Sequence, residues 1–324
     1  MRIHALTTGA TRVKHSFLFP RSGPRRQLDL FLPGPFSDPL PIHCWAIEHE
    51  GVLRLVDTGE TAAAHNVPFG RMEVAREQEL PAAISAAGLN LDDVSEVVLT
   101  HAHGDHIDGL VHVHATVLIN ETELRFLCSP MARVMRRILR HPLPPGFAPE
   151  PFALDGGPFG AFPTSRNLSD DGRIVAVPTP GHTPGHLSVI CVHDSGRHVM
   201  LAGDATDTLE QLHARRADAI APDPKVHIAT LETILAHCAQ HPTIYLPSHD
   251  PDSAARSRRR QPCRNTNRST RTSLLCRRQR RSGAAPRLRT NAPLCGHTPA
   301  SGSARRAPSL ATVASERPSS GSRW

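Results

Sequence analysis

No uninterrupted apolar stretch in this sequence approaches the roughly eighteen residues that a membrane-crossing helix needs, so a helical span is excluded. Residues 1–20 lack the apolar core of an export signal, because Arg12, Lys14 and His15 interrupt them. The seven cysteines fall at scattered positions and form no paired framework, which excludes a disulfide-stapled scaffold; reduced thiols and a cytoplasmic location are expected. Cys128 and Cys191 read as inert core thiols. Lysine is nearly missing, with only Lys14 and Lys225, and Tyr245 is the single tyrosine. Few lysines argue against a substrate rich in phosphate, although Arg166 and Arg215 could still serve one. By contrast, histidine is plentiful at 21 residues, and several histidines fall in tight clusters. That points to metal.

The formal charge of +7 hides two unlike regions. After Ala255 the chain carries 17 arginines, no lysine and one acid, Glu316. The part before it is therefore net acidic, and the overall charge is no footprint of nucleic-acid binding by the body. The expected organisation is a folded domain over 1–255 and a basic tail over 256–324. That tail is poor in large apolar residues and expected to be disordered, since it buries too little to offset its ordering entropy. Its abrupt onset resembles coding sequence read out of frame. The alternative is a basic arm that binds nucleic acid, but it lacks any recognisable binding module.

Hydrophobic periodicity outlines the body. Pro41–Ile47 and Val52–Val56 read as strands joined around Glu50-Gly51, and Glu73–Ala87 reads as a helix stopped by Gly88. Glu96–Leu99 is a short apolar strand that runs into Thr100-His101-Ala102-His103-Gly104-Asp105-His106. Val113–Ile119 reads as a strand with His112 and His114 alternating beside it, and 121–140 as one helix. Ile174–Val177, Leu187–Val192, His198–Leu201 and Thr243–Leu246 are further strands, with a helix over 226–239. Strand ends open repeatedly into His or Asp clusters, at Asp57, at His101, at Pro-Gly-His182, at Ala-Gly-Asp204 and at Pro-Ser-His249. Such ends are where α/β proteins place chemistry.

Two histidines one residue apart, His101 and His103, can face one metal from a tight loop, while Asp105 and His106 project toward a second position. Imidazole nitrogen and carboxylate oxygen suit zinc, iron, manganese or cobalt. The lack of cysteine in the cluster argues against a structural zinc knuckle.

Taken together, the ordered motifs resemble the metallo-β-lactamase superfamily, over about residues 1–255. The resemblance implies an α+β fold, a four-layer αβ/βα sandwich with two metal ions, zinc above all, at one edge between the sheets. It assigns His101, His103 and His182 to the first metal and Asp105, His106 and His249 to the second, with Asp204 bridging both. Asp57 would orient a ligand. Of the two histidines in Thr-Pro-Gly-His-Thr-Pro-Gly-His, His182 would be the ligand and His186 a supporting neighbour. Asp105 and Asp204 would be the catalytic carboxylates, Asp105 also passing a proton to the leaving group.

Val-Pro-Thr-Pro-Gly-His-Thr-Pro-Gly-His-Leu-Ser-Val, Leu-Ala-Gly-Asp-Ala-Thr and Tyr-Leu-Pro-Ser-His-Asp-Pro look like the N-acyl-homoserine-lactone lactonase branch. That branch implies a small acyl lactone as substrate, opened by a hydroxide bridging the metals, and hence quorum quenching. One position departs from its pattern. Those lactonases carry a tyrosine three residues after the bridging aspartate, where this chain has Asp207 as a substrate-contacting candidate, and an ionised carboxylate cannot donate that hydrogen bond. Another ester or thioester hydrolase, or a phosphodiesterase on the same scaffold, is the alternative, because fold alone does not select a substrate.

Overall fold

The computed structural model describes residues 1–21, 23 and 25–259. The strands are β1 Arg2–Val13, β2 Leu40–His49, β3 Val52–Val56, β4 Gly70–Glu73, β5 Val94–Leu99, β6 Thr116–Asn120, β7 Glu150–Phe152, β8 Arg166–Asn167, β9 Ile174–Pro178, β10 Leu187–Val192, β11 His198–Gly203 and β12 Thr243–Pro247. The helices are α1 His15–Leu18, α2 Leu80–Ala86, α3 Gly104–Ile107, α4 Glu121–Leu127, α5 Pro130–Leu139, α6 Leu209–His213, α7 Pro224–Gln240 and α8 Ser253–Arg259. Seven strands form one sheet in the order β4-β1-β2-β3-β5-β6-β7, and five form a second in the order β12-β11-β10-β9-β8.

The layering follows from side-chain alternation along the strands. In β5, Val97 and Leu99 face a core shared with Leu80 and Ile84 of α2 and Leu127 of α4, while Val98 faces the other way. In β2, Ala46 joins the first core, and Trp45 and Ile47 join the second. The second sheet repeats the arrangement. Ile174, Ala176, Leu187, Val189, Leu201 and Leu246 meet Trp45, Val56 and Val98, whereas Val175, Val177, Ile190, Met200 and Tyr245 meet Leu231 and Ile234 of α7. Three apolar cores in series separate four layers: helices, sheet, sheet, helices. This is the sandwich expected from the sequence.

Several elements differ from the sequence reading. The long first strand β1 escaped it; its Gly9 lies where the pairing with β2 shifts register between Thr7 and Ala10. Over 73–87 only Leu80–Ala86 is α-helical, because β4 ends at Glu73 and Pro81 sets the first turn. The helix expected over 121–140 is two helices, since Ser129 caps the second through a bond from Ala132 N and Pro130 starts it. Residues 108–112 form a 3-10 turn, so His112 and His114 lie before β6, and His112 bonds Glu79 at 2.9 Å. Cys128 is exposed, unlike the buried Cys191.

The boundary expected at Ala255 falls inside α8. Arg256, assigned from sequence to the tail, is buried and donates to the carbonyl of Tyr245 at 2.9 Å and to Asp250 at 3.0 Å. The expectations for the rest of the basic tail, from residue 260 onward, lie outside the described residues. Among the described residues no helix is long and apolar enough to cross a membrane.

Candidate metal centre

The site is assembled at strand ends of both sheets. β5 ends at Leu99 and delivers Thr100, His101 and His103; α3 then turns Asp105 and His106 back toward them. β9 ends before His182, β11 before Asp204 and β12 before His249. Gly203 has a left-handed φ of 55°, and a Cβ there would lie 2.8 Å from both His186 and Thr100, so only glycine lets β11 turn here.

All seven sequence-expected donors come together. His101, His103 and His182 form one group; Asp105, His106 and His249 form another; Asp204 joins His101 and His106 in a third, with donor atoms in each group within 4.8 Å of one another. His103 Nδ1 lies 2.9 Å from Nε2 of both His101 and His182. Asp204 spans the two sides: Oδ2 is 3.4 Å from His182 and from His249, and Oδ1 is 3.3 Å from His106. His249 is also 3.4 Å from Asp105.

Partners behind the rings fix which nitrogen faces the site. His106 Nδ1 donates to Asp57 at 2.8 Å, His182 Nδ1 to Asp218 at 2.7 Å, and His249 Nδ1 to the carbonyl of Pro41 at 2.9 Å. Thr100 Oγ1 donates to Asp57 at 2.8 Å, so it can only accept from His101 Nδ1 at 3.1 Å. In each case Nε2 is the nitrogen left facing the site, where it offers a lone pair once its proton is displaced. The same logic removes His186 from the donor set. Ser188 donates to Ala202 O, so Thr179 donates to Ser188 and accepts from His186 Nδ1, and His186 Nε2 accepts the Asp204 amide at 3.0 Å. Both nitrogens of His186 are committed to holding the Asp204 turn.

The electrostatics are those of a crowded polar interior. Burial, with His106 and His103 adding, holds His101 well below the ordinary histidine range, and burial with His182 takes His103 down to about 3. Burial opposes charge on His182 too, but Asp218 outweighs it and raises the ring to about 9. Burial also opposes charge on His106 and His249, yet Asp204 and the nearby carboxylates push both well above the usual range. Burial raises Asp207 to about 7, with His249 opposing and Asp204 and Asp218 reinforcing.

Two buried atoms aimed into the site, His106 Nε2 and Asp204 Oδ1, have no hydrogen-bond partner. Leaving such groups unsatisfied costs about 1–3 kcal/mol each. Five inward nitrogens and two carboxylates are the donor chemistry of borderline divalent cations, so the residues present fit such ions.

Sequence reasoning missed Asp218, which anchors His182, and Glu123, which is buried and accepts from Ala102 N, Thr183 Oγ1 and Gly185 N, tying the two histidine loops together. Neither stands beside a donor in sequence, so no local motif marked them. The lone tyrosine, Tyr245, is buried in the core against α7 with its hydroxyl 2.9 Å from Thr206.

Comparison with known proteins places this geometry. A probable metallo-hydrolase of Mycobacterium tuberculosis is 31% identical over 185 residues, covering 52% of this chain and 58% of that protein. A Bacillus subtilis relative is covered over 62% of its length, so the chain spans about six tenths of these curated relatives. The N-acyl homoserine lactonase AttM of Rhizobium radiobacter is 22% identical over 227 residues, or 67% of this chain and 84% of that one. A solved structure of the Bacillus thuringiensis protein AiiA with N-decanoyl-L-homoserine at its active site superposes with a TM-score of 0.59 at 19% identity, over 77% of this chain and 93% of that chain. The family profile of the Metallo-beta-lactamase superfamily matches residues 37–249, and the strand-end donors fall within that span. By that match, this chain belongs to the Metallo-beta-lactamase superfamily.

Proposed function

We propose that the protein is a metal-dependent hydrolase that opens the lactone ring of N-acyl homoserine lactones, and so acts in quorum quenching. The observation that carries the hydrolase reading is the division of seven donors into two groups joined by Asp204. On this reading His101, His103 and His182 would hold one divalent ion and Asp105, His106 and His249 the second, with Asp204 available to both. Bound there, zinc or a similar ion supplies Lewis-acid polarisation of the substrate carbonyl and acidifies coordinated water. The chain's own residues do the rest. Asp57, Asp218, Thr100 and the Pro41 carbonyl keep the lone pairs of the histidines turned inward. Asp105, less buried than the neighbouring His106, is the residue we assign to pass a proton to the leaving oxygen. Asp207, three residues beyond Asp204 and 5% exposed, is the residue we assign to substrate contact.

The lactone assignment is supported by the two lactonase likenesses and by the scarcity of lysine; Arg166, one of the two phosphate candidates, is paired with Asp155 at 3.3 Å. The test is a panel of purified full chain against an acyl homoserine lactone, a thioester and a phosphodiester, with metal content measured on the same sample. Chelator-sensitive lactone opening is expected. Turnover of the thioester or phosphodiester with no lactone opening would transfer the protein to that substrate class. No bound transition metal and no chelator effect would sink the hydrolase reading itself.

A further inference from the structure

Outside the seven-donor set, beside the loop that carries Gly104 and Asp105, three side chains from separate elements converge. Glu60 follows β3, Asp108 opens the 3-10 turn 108–112, and His141 follows α5. One donor atom from each lies within 4.8 Å of the others, and His141 Nε2 is 3.6 Å from Asp108 Oδ2. The backbone is shaped to bring them there. Gly109 N donates to Gly59 O at 3.0 Å, and a Cβ on Gly109 would lie 2.2 Å from Thr58 O, so only glycine lets the Asp108 turn lie against the Gly59-Glu60 turn. Arg140 ends α5 in the left-handed region at φ 54°, turning His141 inward, where its ring fills the space a Cβ on Gly104 would need.

A second observation is independent of this convergence. Glu60 is wholly buried; its Oε1 accepts from Thr61 N at 2.8 Å, but its Oε2 has no hydrogen-bond partner. Asp108 Oδ1, also buried, has none. The charges acting most strongly on the pair are their own, that of Asp105, and those of the imidazoles of His141 and His65. Two adjacent carboxyl groups, one wholly and one partly buried, are stabilised together either by a shared proton or by a cation. A proton shared between them would satisfy two oxygens and leave the imidazole without a purpose in the cluster. A cation uses all three.

We propose that Glu60, Asp108 and His141 form a third divalent-cation site, separate from the His101–His249 set, suited to zinc or manganese by its two oxygens and one nitrogen. Filling it fastens the end of α5 to the loop of donors, because His141 is the first residue beyond the α5 cap and Asp108 lies two residues from His106.

The experiment is a metal titration of the chelated full chain with Zn2+ and, separately, Mn2+, read by elemental analysis after desalting and by the rise in Tm. Glu60→Gln and His141→Ala should each bind one ion fewer than the parent and lose one step of metal-induced Tm increase, with unchanged far-ultraviolet circular dichroism. Should Glu60→Gln fail to fold, the part-exposed His141→Ala decides the matter. Parent stoichiometry and Tm response in His141→Ala would overturn the site and leave a shared proton as the explanation. His101→Ala runs in parallel: loss of ions there but not in His141→Ala shows that the main centre stands and the third site does not.

Discussion

Replacing Asp57 by asparagine isolates the outer support of the metal centre. Asp57 is 1% exposed and accepts three bonds of 2.8 Å, from Thr100 N at Oδ1 and from Thr100 Oγ1 and His106 Nδ1 at Oδ2. Its φ is 61°, a left-handed conformation that asparagine tolerates, so Asp57→Asn adds little backbone strain. An amide has one acceptor oxygen. In its better orientation the NH2 faces Thr100 N–H, leaving a buried donor unsatisfied at about 1–3 kcal/mol. The two remaining bonds change from charge-assisted to neutral, losing roughly 1 kcal/mol between them at the least. A total near 3 kcal/mol corresponds to a Tm drop of about 6–12 °C for a body of this size. Metal affinity should fall about 10–100-fold, because the His106 Nδ1–H then meets a neutral amide oxygen instead of a carboxylate and the ring becomes a weaker donor. The assay pairs thermal unfolding of the chelated chain, which reads the fold alone, with a Zn2+ competition titration. An unchanged Tm together with affinity within about twofold of the parent would refute the argument that Asp57 positions His106.

Asp204→Ala should reduce the metal content of both groups, whereas His182→Ala should chiefly affect the first, as elemental analysis of each variant can show. Asp207→Tyr should raise lactone kcat/KM by about tenfold, equivalent to about 1.4 kcal/mol of transition-state stabilisation, while a simple ester gains less; equal change on both substrates would remove Asp207 from the lactone contact. Away from the site, burial holds His198 down to about 4 and His237 to about 3, each with a neighbouring histidine adding to the effect. The unfolded chain therefore binds protons that the folded chain refuses between about pH 6.5 and pH 3, so this stability is whole above that window and is lost as pH falls through it. His237→Phe, which keeps a ring against Phe159, should flatten the acid limb of the stability curve, and a parallel limb in the two proteins would contradict this. Finally, a chain ending at Ala255 should be less stable than one ending at Arg259, by about 2–4 kcal/mol, since the first loses both bonds of buried Arg256 and leaves Asp250 without its cation; equal denaturation midpoints would show that α8 contributes nothing.

The seven candidate donors were legible from sequence because loop chemistry at a strand end is local. His101, His103, Asp105 and His106 sit within six residues, and the strand that carries them announces itself by its apolar run. The remaining candidate donors each close a strand of the same kind, and the resemblance to a known family, carried by their order along the chain, grouped them. Helix and strand positions followed wherever burial imposed a period, as in Leu187–Val192. They failed where a rule of shorter range intervened, as at Ser129-Pro130, which divides one expected helix into two. Other features arose only when distant segments met. Asp218 reaches His182 across 36 residues, and Glu123 bonds Thr183 and Gly185 across about 60; neither carries a local mark, because what selects them is the unpaired donor of another element. The competition between His182 and His186 is of the same kind. Four residues apart in identical tetrapeptides, they differ because the tertiary fold gives His186 a donor at Asp204 N and an acceptor at Thr179, while Nε2 of His182 faces His103 and Asp204. Arg256 reads as the first residue of a basic tail, yet the ends of β12 and the Asp250 turn offer it a carbonyl and a carboxylate. A guanidinium is stable in the interior only where such acceptors are already in place, and only the folded chain puts them there.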